Sequence, residues 1–261
     1  MYLLSMEIPI QEKLQLQRLN KLLVFIERIA AKLQGKGWGS GTVQKEFRLA
    51  LKLLTNYPPK LCIDIGGNKG TYTEQIINNF SECEIVIFEP SESNVKTLKN
   101  KFIEFTNIKI EQSAVSNIVG KATLYSNEDG SGLASLTKRR LDHLGIDFDN
   151  MENIQTIRFE DYWKANLNSQ NIDICKIDIE GHELDALLGF GEAINQISVI
   201  QFEFGGCNID TRTFFQDFWY FFQDNGFDIY RVSPIGLIKV KKYNERDEIF
   251  TTTNYIAKKV L

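Results

Sequence analysis

From residue 61 onward the chain alternates short apolar runs with helical stretches, and that rhythm leaves few ways to fold. The runs 61–65, 85–88, 108–110, 172–177 and 199–204 are nearly continuous in apolar residues, the pattern of strands buried on both faces. Helical patterns near 71–80, 91–104, 182–195 and 211–225 separate several of them. Repeated strand–helix–strand units build an α/β doubly wound sheet, mostly parallel, with helices on both faces. Farther along, the runs 227–232, 236–240 and 255–258 lie close enough together to be hairpin or antiparallel edge strands. There is no internal repeat.

Upstream, Pro58-Pro59 stops a helical pattern over 43–54. Residues 11–34 place Leu19, Leu22, Leu23, Ile26, Ile29, Ala30 and Leu33 at three-and-four spacing, an amphipathic helix ended by Gly35, Gly37, Gly39 and Gly41. Its Lys13, Arg18, Lys21, Arg28 and Lys32 outnumber Glu12 and Glu27, a net of +3. A basic amphipathic helix can lie on a membrane. Packing across the main domain, or across a homodimer seam, is the simpler expectation. The expected division is a helical extension over 1–55 and one larger domain over 56–261. The apolar run 22–26 is far below the roughly 20 residues that span a bilayer, so neither a transmembrane segment nor a signal peptide is expected.

Composition narrows the partners. With 43% hydrophobic and 25% charged residues the chain is globular rather than disordered. Lys+Arg number 30 against 34 Asp+Glu, a formal charge of −4, which argues against a nucleic-acid partner and for a small-molecule or glycan partner. Cys62, Cys83, Cys175 and Cys207 form no CxxC pair and no metal-type spacing, so no zinc site or disulfide framework is expected, and the compartment read from them is the cytoplasmic one.

The chemistry-bearing residues stand where strands end. The first strand runs into Asp64-Ile65-Gly66-Gly67-Asn68-Lys69-Gly70 and a helix opens at Thr71, a glycine loop that lets a nucleotide-like ligand approach a helix N-terminus. Glycines at 66, 67 and 70 do not make the G-x-G-x-x-G of a dinucleotide site, which disfavours a nicotinamide-dependent oxidoreductase. A carboxylate at Asp64 suits a cationic ligand better than a pyrophosphate, and a sulfonium such as S-adenosylmethionine carries that charge. Glu89 closes the second strand, where an acidic side chain accepts ribose hydroxyls; the bland alternative is a surface glutamate. Lys176 precedes Asp178-Ile-Glu180-Gly181-His182-Glu183, which puts several ionisable groups at the same strand-end crevice. Helix capping accounts for Glu180 and Glu183 but leaves Asp178 and His182 without a structural role. Either of these two can take a proton from a hydroxyl. Glu203, at the end of the fifth strand, would pair with Asp178 around a divalent cation only weakly, and no metal is expected.

Two stretches are ambiguous. The insert over 126–160, with its Ser/Asn/Asp/Gly start and Asp142, Asp147, Asp149 and Glu152, is either a lid over the acceptor site or a solvated loop. Phe214, Phe215, Phe218, Phe221 and Phe222 read as a buried helix face, leaving Trp219 and Tyr220 as interface candidates.

Taken together, 63–70, Phe88-Glu89-Pro90 with Asn94, Ala114-Val115-Ser116 and above all Lys176-Ile-Asp-Ile-Glu-Gly-His-Glu183 resemble the FkbM-type S-adenosylmethionine-dependent methyltransferases, over roughly residues 60–232. The resemblance implies the Rossmann-like class I methyltransferase fold, with a seven-stranded sheet and an antiparallel edge, and O-methylation of a sugar, glycan or natural-product hydroxyl. It assigns Asp64, Gly66, Gly67, Asn68 and Gly70 to the methionine end of S-adenosyl-L-methionine, Glu89 to the ribose, and Ser113 and Ala114 to the adenine. Gly67 stands where the family commonly has alanine. Asp178, also placed near the cofactor, and His182 are the expected bases, with Glu180 behind them. A non-catalytic scaffold on the same fold is the remaining alternative.

Overall fold

The computed structural model describes residues 10–39 and 41–260; residues 1–9, 40 and 261 of the expected domains lie outside them. The elements run α1 Ile10–Leu33, α2 Val43–Leu51, β1 Leu61–Ile65, α3 Thr71–Asn79, β2 Glu84–Phe88, α4 Glu92–Lys101, β3 Ile108–Glu111, β4 Ala114–Val115, β5 Gly120–Ser126, β6 Asn150–Ile157 and α5 Phe159–Asn166. They continue β7 Ile172–Ile177, α6 Glu183–Leu188, β8 Ile197–Phe204, α7 Cys207–Thr211, α8 Phe215–Asp224, β9 Phe227–Ser233, β10 Gly236–Val240 and β11 Thr253–Lys259.

The main sheet has the order β10-β9-β11-β8-β7-β1-β2-β3. The five strands from β8 to β3 pair in parallel, and β11 lies antiparallel between β8 and β9. Seven strands thus form the expected Rossmann-like sheet with its antiparallel edge, and β10 adds an eighth through a hairpin with β9. The chain leaves β1 for β2 and β3 on one side and returns to β7 on the other, so the loops after β1 and β7 part at a switch point. A crevice at the carboxyl ends follows from that topology.

Both faces of the sheet are covered. On one, Ile63, Phe88, Ile177 and Phe202 pack with Phe159, Phe190, Phe218 and Phe222. On the other, Cys62, Ile85, Ile87 and Ile174 meet Phe47, Tyr72, Ile76 and Leu98. Phe47 belongs to α2, and its ring stands edge-on to Tyr72 of α3 at 5.6 Å, so α2 is part of the packed body. By contrast α1 does not pack across the domain as expected: its large apolar side chains from Leu14 to Leu33 remain between 46% and 60% exposed. No described helix is long and apolar enough to cross a membrane.

Two readings of the chain need correction. The insert is not irregular throughout, because β5 and β6 pair antiparallel and β4 joins β6 in a second, three-stranded sheet. Only Ile154 and Thr156 of β6 are buried, so no apolar run marked it. In the aromatic helix, α8 buries Phe215, Phe218, Trp219 and Phe222, while Phe214 precedes it and is exposed along with Tyr220. Starting the helix at Phe215 turns Trp219 inward, one full turn from its first residue.

Candidate functional site

A cavity of about 1160 Å³ opens at the carboxyl ends of β1, β2, β7 and β8. Single-ligand pockets hold roughly 300–1,000 Å³, so this one exceeds what a single drug-sized ligand needs.

Its floor is the loop after β1. The amides of Gly66 and Gly67 donate to the Phe88 carbonyl at 2.9 and 3.2 Å, which ties the loop to the end of β2. Gly66 has φ +78°, and a Cβ there would stand 2.0 Å from the Asp178 carbonyl oxygen. A Cβ on Gly67 would stand 2.2 Å from Cγ2 of Ile87, the local reason for glycine in place of the family's usual alanine. Asn68, at φ +45°, donates its amide to Oε2 of Glu89 at 2.8 Å, and Ser91 donates to Oε1 at 2.9 Å. Burial raises the Glu89 carboxyl above the usual range, and the two amides pull it back down. Glu89 lines the cavity, and its carboxylate retains lone pairs beyond those the amides use. Ser113 and Ala114 complete this end.

Asp64 and Gly70 stand behind the lining rather than in it. The Asp64 carboxylate is fully buried, accepts from the Thr73 hydroxyl at 2.8 Å and lies 3.4 Å from the Lys176 ammonium. Lys176 also donates to the Gly66 carbonyl at 2.9 Å and lies 3.5 Å from Asp178. Burial works against the lysine's charge, but Asp64 and Asp178 outweigh it and hold its pKa above the ordinary value. Asp64 is thus paired with Lys176 beneath the lining, and of the two carboxylates only Asp178, with its side chain 43% exposed, lines the cavity. Gly70, at φ +77°, caps α3.

The opposite wall begins with the turn after β7. Glu183 is fully buried and accepts from the amides of Ile179 at 3.0 Å and Gly181 at 3.1 Å, so it closes the turn, as capping predicts. Glu180 does not cap. At φ +54° it points its carboxylate to Arg139, 2.6 Å away, and Arg139 also reaches Asp210 at 3.3 Å. Burial and the nearby Asp178 push the Glu180 carboxyl up to about 8, with Arg139 acting in the opposite sense. His182 lines the cavity with both ring nitrogens engaged, Nδ1 at 2.8 Å from Asp185 and Nε2 at 3.0 Å from the Thr137 hydroxyl. Glu203 lines it too; burial and the surrounding carboxylates raise its pKa well above the usual range. Among the described residues no group of three or more His, Cys, Asp or Glu side chains is placed to hold a metal ion.

Several lining residues escaped the sequence reading. Glu46 of α2 accepts from Nε2 of Gln201 and from Nδ2 of Asn254, each at 2.7 Å, and from the Thr42 hydroxyl. Burial is the main cause that pushes its carboxyl up to about 7. A glutamate at 46 falls on the apolar face set by Val43, Phe47 and Ala50, and that misplaced charge was the available signal. Arg139 and its neighbours over 131–144 come from the insert, which covers the crevice as the lid reading expects, and Ser135 donates its hydroxyl to the Glu180 carbonyl at 2.8 Å. Phe250, Thr251 and Thr252 close the remaining side.

The chain is also similar to known proteins. Residues 64–229 match the methyltransferase FkbM domain. The chain is 23% identical over 169 residues to the 2-O-methyltransferase NoeI of Sinorhizobium fredii, a match that spans 61% of this chain and 69% of that protein. Among solved structures, methyltransferase FkbM from Methylobacillus flagellatus aligns over 76% of this chain at 15% identity with a TM-score of 0.44. The chain spans 43% of that protein's length. An S-adenosylmethionine-dependent O-methyltransferase from Thermotoga maritima aligns over 84% of this chain and 65% of its own, at 12% identity and a TM-score of 0.43.

Proposed function

The chain belongs to the FkbM methyltransferase family, and on that premise we propose that it moves a methyl group from S-adenosylmethionine to a hydroxyl of a sugar, glycan or natural-product acceptor. The observation that carries this reading is the single cavity in which the Gly66–Asn68 loop and Glu89 face Asp178, Glu180 and His182. The cradle's chemistry fits such a cofactor, since Glu89 brings a carboxylate that accepts from hydroxyls and Asp178 one that faces a positive charge, both lining the cavity. Glu89 would accept the ribose hydroxyls, Ser113 and Ala114 would flank the adenine, and Asp178 would face the positive end. Bound there, S-adenosylmethionine supplies a methyl carbon activated by its attachment to a sulfonium.

The chain's own contribution is placement. Holding the acceptor oxygen in line is worth several kcal/mol in reactions of this kind, and a base must take the hydroxyl proton. Asp178, His182 and Glu180 are the candidates. A wall rich in carboxyl groups, some raised so that they donate as well as accept, suits a polyol, whose hydroxyls do both. The name of the Sinorhizobium relative, a 2-O-methyltransferase, agrees with a hydroxyl acceptor.

Calorimetric titration with S-adenosylhomocysteine, run beside NAD, tests this. Micromolar binding of the homocysteine product alone is expected; folded protein that binds neither would transfer the weight to a scaffold role. For α1 we retain pairing with a second copy. Leu16, Leu19, Leu23, Ile26, Ala30 and Leu33 follow the alternating three-and-four spacing of a coiled-coil seam and are all exposed. Light scattering should give twice the chain mass, and Leu23→Glu should halve it.

A further inference from the structure

Asp185 carries no motif, yet its carboxylate stands 2.8 Å from Nδ1 of His182. On the other side of the ring, Nε2 lies 3.0 Å from the hydroxyl of Thr137, a residue 45 positions away in the insert. Carboxylate, imidazole and hydroxyl form one line, and His182, its middle member, lines the cavity. An ionised carboxylate only accepts hydrogen bonds, so Asp185 places the ring proton on Nδ1 and leaves the Nε2 lone pair to accept from the hydroxyl.

The three candidate bases are not equivalent in this setting. Asp178 faces the Lys176 ammonium at 3.5 Å and Glu180 the Arg139 guanidinium at 2.6 Å. Protonating Asp178 would give up an ion pair, and Glu180, its carboxyl pushed up to about 8, already holds its proton at neutral pH and cannot take another. Nε2 of His182 contacts only a neutral hydroxyl, and exchanging one hydroxyl for another costs little. Asp185, with 42% of its side chain exposed, stays next to the imidazolium that results.

We propose that His182, oriented by Asp185, receives the proton of the acceptor hydroxyl, and that Thr137 keeps that hydroxyl's place until the acceptor arrives. The proposal rests on the methyl-transfer reading above. The acceptor oxygen forms the new O–CH₃ bond as the S–CH₃ bond breaks, and the bonding pair stays on sulfur as a neutral thioether. The hydroxyl proton passes to Nε2 and then to water. His182 is then a catalytic residue, and Asp185 and Thr137 are positioning residues.

The chain has two histidines, so ring nitrogen NMR on the whole protein resolves His182 from His143. The wild type should show His182 protonated at Nδ1, and Asp185→Ala should turn it into a mixture of tautomers. Thr137→Val should leave the tautomer in place. A wild-type ring protonated at Nε2 overturns the proposal, whether or not an acceptor is known. With methyl glycosides as probe acceptors and labelled S-adenosylmethionine, Asp185→Ala should lower kcat about 10- to 100-fold without moving the KM for the cofactor. Thr137→Val should lower the KM for the glycoside. An Asp185→Ala enzyme with wild-type kcat also overturns it. Failure of folded wild type to bind S-adenosylhomocysteine would instead sink the methyl-transfer reading, and the tautomer result would show that separately.

Discussion

The floor of the cavity and the wall opposite it are built differently. The floor is a loop whose amides bind the neighbouring strand end and the Glu89 carboxylate, so its geometry comes from backbone and short sequence separations. The wall is joined by side chains from remote segments, Arg139 to Glu180, Thr137 to His182 and Glu46 to Gln201. A backbone cradle tolerates almost no change, because Gly66 meets a main-chain carbonyl and Gly67 a packed core side chain. Side-chain pairs can be exchanged without moving a strand, and that leaves the acceptor side free to differ between proteins that share the floor.

The comparison can be broken most severely at Gly66. Gly66→Ala puts a Cβ against the Asp178 carbonyl at a left-handed φ, and overpacking together with backbone strain should cost about 2–5 kcal/mol, read by chemical denaturation. A loss under about 1 kcal/mol would mean that the floor yields as easily as the wall.

Next in size is a pH effect on the wall. Glu46 has its carboxyl raised from 4.5 to about 7 in the folded chain, so the native state binds the proton more tightly than the unfolded one. Its stabilising contribution is complete below pH 4.5 and is lost as the pH rises through 7. The full swing is on the order of 3 kcal/mol. Glu46→Gln should flatten that fall in denaturation curves taken between pH 4.5 and 7. An unchanged slope would remove burial of Glu46 as its source.

Glu89→Gln should weaken S-adenosylhomocysteine binding by roughly 10- to 100-fold in calorimetry, the effect of losing hydrogen bonds to a charged group. The smallest effect on the floor should come from Arg139→Met. Its affinity for S-adenosylhomocysteine should stay within about twofold of wild type, while limited proteolysis between 126 and 144 speeds up as the insert loses its anchor to Glu180. A large loss of affinity would show that floor and wall are coupled.

Much of the fold was legible because buried parallel strands write themselves as apolar runs. β1 and β7 begin and end where their runs do, and β8 begins two residues early because Ile197, itself buried, pairs with Ile172 and lengthens the ladder to β7. β6 was not legible, since a strand with Ile154 and Thr156 as its buried residues leaves no period to read. The two N-terminal helices show the same limit from another side. Both are amphipathic in sequence, yet α2 is inside the packed body and α1 extends from it with its apolar side chains exposed. Periodicity reports that a face is apolar and not what covers it.

At the site, the glycine loop, Glu89 and the turn over 178–183 were determined by the sequence itself. Left-handed glycines and strand ends are local properties, and a parallel sheet brings successive strand ends to one side. That Asp64 pairs with Lys176, that Glu46 lines the wall and that Thr137 and Asp185 hold the two nitrogens of His182 were decided by tertiary structure. For most of these the partners lie far apart in the chain, 112 residues between Asp64 and Lys176 and 155 between Glu46 and Gln201, and only packing brings such groups into hydrogen-bond or ion-pair reach. Asp185 is three residues from His182, and there a neighbour in sequence became a partner only once the turn after β7 had set the ring's direction.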